Sequence, residues 1–250
     1  IKSSEYETGT WVTPTQTKDG DVIEITGLPE DPLNTNKYTL RAVSGDVKAE
    51  NELEITTEVA ADVDNADFED WHYTTEQRKF LLESLIKKYT CYRYFPSLKN
   101  AQDVWWATNN ACSMQANSWG ADRATSCSSV SYVYNTDGTK AAELRSTSGG
   151  GYAHSSSVMV DDGIFPGMLF IGAYDWNGSS GTVSGGHTFT SRPLSLTFQY
   201  KYTPFDTDEF KAYIEIQNRA EGEMKILASG TLTKSQNTPD TEYQNGIIHL

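Results

Sequence analysis

Cysteine is scarce in this chain: Cys91, Cys112 and Cys127 are the 3 present among 250 residues. So few, so unevenly spread, do not make a disulfide scaffold, and without a C-x-x-C pair they do not make a structural zinc site. Two readings fit them. Cys112 and Cys127 could bridge neighbouring strands in an oxidising compartment, or all three could be unpaired thiols packed as small apolar residues. No apolar run nears the roughly 20 residues that cross a bilayer as a helix. Histidine is rare as well, and His72, His154, His187 and His249 form no H-x-x-x-H pair. No G-x-S-x-G elbow occurs, which removes one common hydrolase signature. Basic residues are outnumbered 20 to 34, for a formal charge of −14. That charge repels phosphate backbones, so nucleic acid is not an expected partner. Ile1 is followed by neither a charged n-region nor an apolar h-region, which fits a processed secreted protein or a chain beginning inside a longer one. Ile247-Ile248-His249-Leu250 reads as a strand only just opening.

What is present is strand chemistry. The chain holds 14 Tyr, 6 Trp and 19 Gly, suited to pleated surfaces joined by turns. In the first sixty residues Ile23 and Ile25 alternate with polar partners, Tyr38, Leu40 and Ala42 share a face, and Leu53 and Ile55 supply a returning strand. This patterning predicts part of an immunoglobulin-like sandwich over 1–60, short of the roughly 100 residues of a whole one. An acidic, aperiodic stretch, Ala60–Asp67, reads as a linker. Next, Thr74 and Gln77 fit a capping box, and Phe80, Leu81, Leu82, Leu85, Ile86 and Tyr89 form an apolar stripe, predicting a helix that docks on a sheet. From Asp103 onward the pattern is strand after strand. Leu194–Tyr202 is the clearest, with Leu194, Leu196, Phe198, Tyr200 and Tyr202 on one side.

Several blocks are similar to a known family. Phe68-Glu69-Asp70-Trp71, Trp105-Trp106-Ala107-Thr108-Asn109-Asn110, Gly138–Leu144, Phe165–Gly172 and Gly186-His187-Thr188-Phe189-Thr190-Ser191-Arg192-Pro193, leading into Phe198–Tyr202, resemble in content and order the putative carbohydrate metabolism domain. The resemblance implies an all-β chain. A jelly-roll β-sandwich with one inserted helix would occupy 62–250, preceded by a partial immunoglobulin-like segment at 1–60. It also implies glycan binding at the surface of gut bacteria, in lipoproteins anchored to the outer membrane. Three departures stand out. Tyr73–Leu98 looks like an insertion, the stretch at Phe165–Leu169 is altered, and the family's last strands and acidic closing motif have no counterpart before Leu250.

Sugar recognition needs flat rings for pyranose C–H faces, with amides and carboxylates for hydroxyls. Tyr174, Asp175, Trp176 and Asn177 supply these in one expected loop, with Trp119 and Tyr152 as further ligand-binding candidates. Trp105 and Trp106 point to opposite faces of a strand and are expected to be structural. Related jelly rolls hold a structural calcium where the first strand begins. The resemblance makes Glu69, among Asp67, Glu69 and Asp70, the side-chain ligand, although a solvated acidic linker fits equally. Asp161-Asp162 pairs two acids, but as neighbours on a turn rather than opposed across the roughly 5–9.5 Å of a glycosidase. Non-catalytic glycan binding is the leading expectation. An adhesion or scaffold role through protein contacts comes second, and a glycoside hydrolase third.

Overall fold

Alternation between apolar and polar side chains decides the architecture, and almost every described element is a strand. The computed structural model describes residues 1–3, 11–20, 22–26, 37–57, 61–79, 88–117, 128–148, 164–178, 180–219, 224–239 and 242–250. The chain is all-β, with one short helix among the described residues. It divides into two units, one formed by Ile1–Ala60 with Thr190–Leu250 and the other by Ala61–Phe189.

The first unit opens with β1 (Lys2–Ser3), β2 (Thr15–Asp19), β3 (Val22–Thr26), β4 (Lys37–Leu40), β5 (Val43–Ser44), β6 (Val47–Lys48) and β7 (Leu53–Thr56). Strands β1, β4 and β7 form an antiparallel sheet centred on β4, whose Tyr38 and Thr39 are buried. Strands β2 and β3 make one hairpin, β5 and β6 another.

The second unit contains β8 (His72–Lys79), β9 (Lys88–Phe95), β10 (Trp106–Thr108), α1 (Asn110–Asn117), β11 (Val130–Tyr134), β12 (Lys140–Leu144), β13 (Thr147–Ser148), β14 (Ile164–Phe165), β15 (Leu169–Trp176) and β16 (Gly181–Gly185). Here the expected helix is corrected. Thr74 and Gln77 lie in β8 and Tyr89 in β9, and the two strands pair from His72↔Phe95 to Lys79↔Lys88. Instead of capping a helix, Gln77 donates through Nε2 to the Thr90 hydroxyl across the ladder at 2.8 Å. Phe80, Leu81, Leu82, Leu85 and Ile86 lie outside the described residues. In β9, Thr90, Tyr92 and Tyr94 recur every second residue, and β-branched and aromatic residues favour the pleated surface. The helix that does form, α1, buries Cys112, Ser113 and Met114, with Met114 clustered on Cys91 of β9. Cys91 is disulfide-bonded and Cys112 is a buried thiol, which corrects both cysteine expectations; Cys127 lies outside the described residues.

The chain then returns to the first unit with β17 (Ser195–Tyr200), β18 (Phe210–Asn218), β19 (Lys225–Lys234) and β20 (Gln244–His249). Phe198, Tyr200, Tyr202 and Phe210 pack as a ring cluster with centroids 5.4–6.2 Å apart. Gly230 of β19 lies against Ile248 of β20, where a Cβ would collide. Strand β20 begins at Gln244 and pairs with β17 along its whole length, so residues 247–249 are not an opening stretch but the second half of a ladder.

One pair of side chains joins elements that share no ladder. Asn110 is fully buried; its Nδ2 donates to the carbonyls of Tyr94 (2.9 Å) and Val130 (2.8 Å), and its Oδ1 accepts from the Val130 N–H (2.9 Å). An amide here does the work of a peptide unit, bridging β9 to β11. Asn109, also fully buried, donates to the Pro166 carbonyl (2.7 Å) and accepts from the Ser129 hydroxyl and Met168 N–H (both 3.0 Å). Gly167 lies so close to Ser129 and Arg145 that an added Cβ would meet their backbone. A buried polar group costs about 1–3 kcal/mol when its partner is removed. Asn109→Ala, which orphans three groups, should therefore destabilise the protein by about 3 kcal/mol in urea unfolding, whereas the exposed Thr182→Ala should stay within about 0.5 kcal/mol.

Candidate functional site

The Asn110 bridge sets the β8–β9 hairpin beside β11, and the outcome is a continuous band of phenol rings. By register, Tyr73 lies opposite Tyr94 and diagonal to Tyr92, two residues earlier on β9, and period two puts Tyr132 and Tyr134 on one face of β11. The rings touch in sequence. Tyr73 meets Tyr92 at 5.4 Å and Tyr94 at 5.9 Å, Tyr94 meets Tyr132 at 5.8 Å, and Tyr132 meets Tyr134 at 5.5 Å. Trp71 continues the row against Tyr132 at 5.6 Å. The two ends are open to solvent, Tyr73 at 53% and Tyr134 at 66% exposure, while Tyr92, Tyr94 and Tyr132 are half-buried. Burial, reinforced by Tyr92 and Tyr73, raises the Tyr94 pKa. The hydrogen bond with Tyr134, then burial, raises that of Tyr132. The Lys140 ammonium sits 5.5 Å from the centre of the Tyr132 ring.

Beside the band, Glu69 anchors the unit's entry. Its Oε1 accepts the Lys140 N–H at 2.7 Å, and its backbone carbonyl accepts from the Lys140 ammonium. Calcium requires six to eight oxygens. With one carboxylate already bonded and a cationic side chain against the adjacent carbonyl, these residues do not fit a calcium ion. No cluster of three or more His, Cys, Asp or Glu able to hold a metal occurs among the described residues.

A second cluster joins segments far apart in sequence. The Trp105 indole stacks on His187, centroids 4.0 Å apart, and donates through Nε1 to Asp103 at 3.1 Å. Asp103 also holds His187 Nε2 at 2.9 Å, while His187 Nδ1 lies 3.1 Å from the Thr188 carbonyl. Carboxylate and carbonyl only accept, so the two contacts favour the protonated ring, in which both nitrogens donate. The Asp103 hydrogen bond, then the Thr188 carbonyl, raise the His187 pKa, and the same His187 bond lowers that of Asp103. Trp106 is engaged elsewhere, edge-on to Phe68 at 4.8 Å and donating to the Asp64 carbonyl at 2.8 Å. Neither indole of the tandem faces outward alone.

The expected loop of ligand-binding residues is instead a strand end and its turn. Tyr174, Asp175 and Trp176 are the last residues of β15, paired with Val183, Thr182 and Gly181. Tyr174 points inward across Gly181, and burial, then the Cys112 thiol beside its hydroxyl, push its pKa up. Asp175 is exposed on the opposite face, and Trp176 is half-buried. Asn177 closes the turn, its Oδ1 accepting the Ser180 N–H at 2.8 Å and its Nδ2 donating to the Ser180 hydroxyl at 2.9 Å. Trp119, Tyr152, Asp161 and Asp162 lie outside the described residues. The tyrosine band is not among the expected sites, because Tyr73–Leu98 reads as an insertion carrying a helix; Thr90, Tyr92 and Tyr94, alternating with Cys91, Arg93 and Phe95, are the signal for the strand.

With this geometry in view, the family model described as "Putative carbohydrate metabolism domain" matches residues 67–246. The chain belongs to that family. No curated protein and no solved structure matches it. The family's blocks fall on structural positions. Trp71 and Lys140 border the band, Asn109 and Asn110 form the bridge, and His187 closes onto Trp105. Gly172, at φ 137° where a Cβ would strike the Ser184 carbonyl, lets β16 approach β15.

A pH titration tests the His187 geometry. A group with a raised folded pKa stabilises fully below its unfolded value and loses that contribution as pH rises through the folded one. Because the imidazolium quenches the stacked indole, tryptophan emission should increase in a single step above the ordinary histidine range, and His187→Gln should abolish the step.

Proposed function

We propose that this protein binds glycans without catalysis, at the bacterial cell surface, through the tyrosine band of the second unit. One observation carries the reading: five phenol rings touch in an unbroken band in which Tyr73 and Tyr134 are open to solvent. Such a row suits stacking on the C–H faces of successive pyranose rings, while phenol hydroxyls and neighbouring polar groups serve sugar hydroxyls. Family membership supports a carbohydrate-related role. The disulfide at Cys91 supports an oxidising, extracellular setting, in keeping with a lipid-anchored parent protein.

A second reading, a scaffold making protein contacts, is favoured by apolar side chains left exposed in the first unit, Val22, Ile23, Val43, Val47 and Leu53. It predicts a partner protein and leaves the tyrosines unused.

Affinity electrophoresis in gels of plant, microbial and host glycans separates them. Wild type should be retarded by at least one glycan, and Tyr73→Ala or Tyr134→Ala should each weaken retention about tenfold, roughly 1.4 kcal/mol. Both residues are exposed, so the fold should survive. Retention lost instead with Trp176→Ala would move the site to the β15–β16 hairpin, and no retention on any glycan would remove the proposal.

A further inference from the structure

The ladder of β17 and β20 has two unlike faces. Leu196, Phe198 and Tyr200 take one side, against Ile248. The other carries Ser195, Thr197 and Gln199 opposite His249, Ile247 and Asn245. On that second face Gln199 and Asn245 are direct cross-strand partners, both exposed, and neither side chain makes a hydrogen bond to another described residue. A shallow groove of about 430 Å³ runs here, bounded by Thr197, Gln199, Asn245 and Ile247. One residue beyond the ladder, the Lys201 ammonium lies 4.5 Å from the centre of the Tyr243 ring, extending the same face with a flat aromatic surface.

We infer that this face is a second saccharide-binding surface, separate from the tyrosine band and fitted to neutral glycan chains. Paired amides present two N–H donors and a carbonyl acceptor each, which matches vicinal hydroxyls that both give and receive hydrogen bonds. The groove is open and shallow, suited to one chain lying along the strands. A formal charge of −14 on the whole chain disfavours a polyanionic ligand. The ligand class rests on the glycan reading above; the site itself does not depend on the tyrosines.

The test is a ¹⁵N-labelled titration of the full chain with xylohexaose, mannohexaose and laminarihexaose, with trigalacturonate as the anionic comparator. A neutral hexasaccharide should shift the backbone resonances of residues 197–201 and 243–247. In Gln199→Ala/Asn245→Ala those shifts should need about tenfold more sugar, while shifts near Tyr73 and Tyr134 persist. Shifts confined to β8, β9 and β11 would overturn the second surface and leave the tyrosine reading standing. Shifts confined to β17 and β20 would sustain this inference and overturn that reading. Stronger shifts with trigalacturonate would overturn the neutral class, and no shift with any of the sugars would overturn both surfaces.

Discussion

The second unit depends on one carboxamide. Strands β9 and β11 belong to different hairpins and share no ladder, yet the Asn110 side chain joins the Tyr94 carbonyl to both backbone groups of Val130. Inside a protein such a bridge is worth more than its count of hydrogen bonds suggests, because each partner left alone would be a buried, unpaired group. Ser128 adds a second stitch, its hydroxyl donating to the Tyr92 carbonyl at 2.7 Å. Asn109 does the equivalent for the 166–168 segment. The tyrosine band is a consequence of this bridge. Tyr94 and Tyr132 are 38 positions apart in sequence, and their rings meet because Asn110 fixes their strands side by side.

This arrangement explains how a family pattern can be dominated by residues that hold the framework. Asn109 and Asn110, Gly172, His187 and Glu69 hold loops and strand ends in place. Three of the five rings of the band, Tyr73, Tyr92 and Tyr94, come from the β8–β9 hairpin, in the stretch that reads as an insertion. Framework and contact surface are thus written in different parts of the sequence, a common division where binding residues ride on a rigid scaffold.

Strand-rich character was legible because alternation survives in single segments. Leu196, Phe198 and Tyr200 fall on one face, as their spacing predicts. Thr74 and Gln77 fit a capping box locally, yet both lie in β8, because pairing with the Thr90–Phe95 segment of β9 outweighs a local cap. The site was harder still. Tyr174 and Trp176 sit beside Gly-rich turns, which suggested a loop, but their strand continues to Trp176 and turns Tyr174 inward. Which rings remain outside is set by contacts between hairpins, and no local spacing encodes those. The meeting of Asp103 with His187, 84 residues apart, is hidden for the same reason.

The tyrosine band requires that Asn110 align the two hairpins. Aromatic NOE spectra of wild type and Asn110→Ala test this directly. Cross-peaks between the Tyr94 and Tyr132 rings should be present in wild type and lost in the variant, while the Tyr73–Tyr94 cross-peak within one hairpin remains. Cross-peaks between Tyr94 and Tyr132 that persist undiminished in Asn110→Ala, or are absent from wild type, would contradict it.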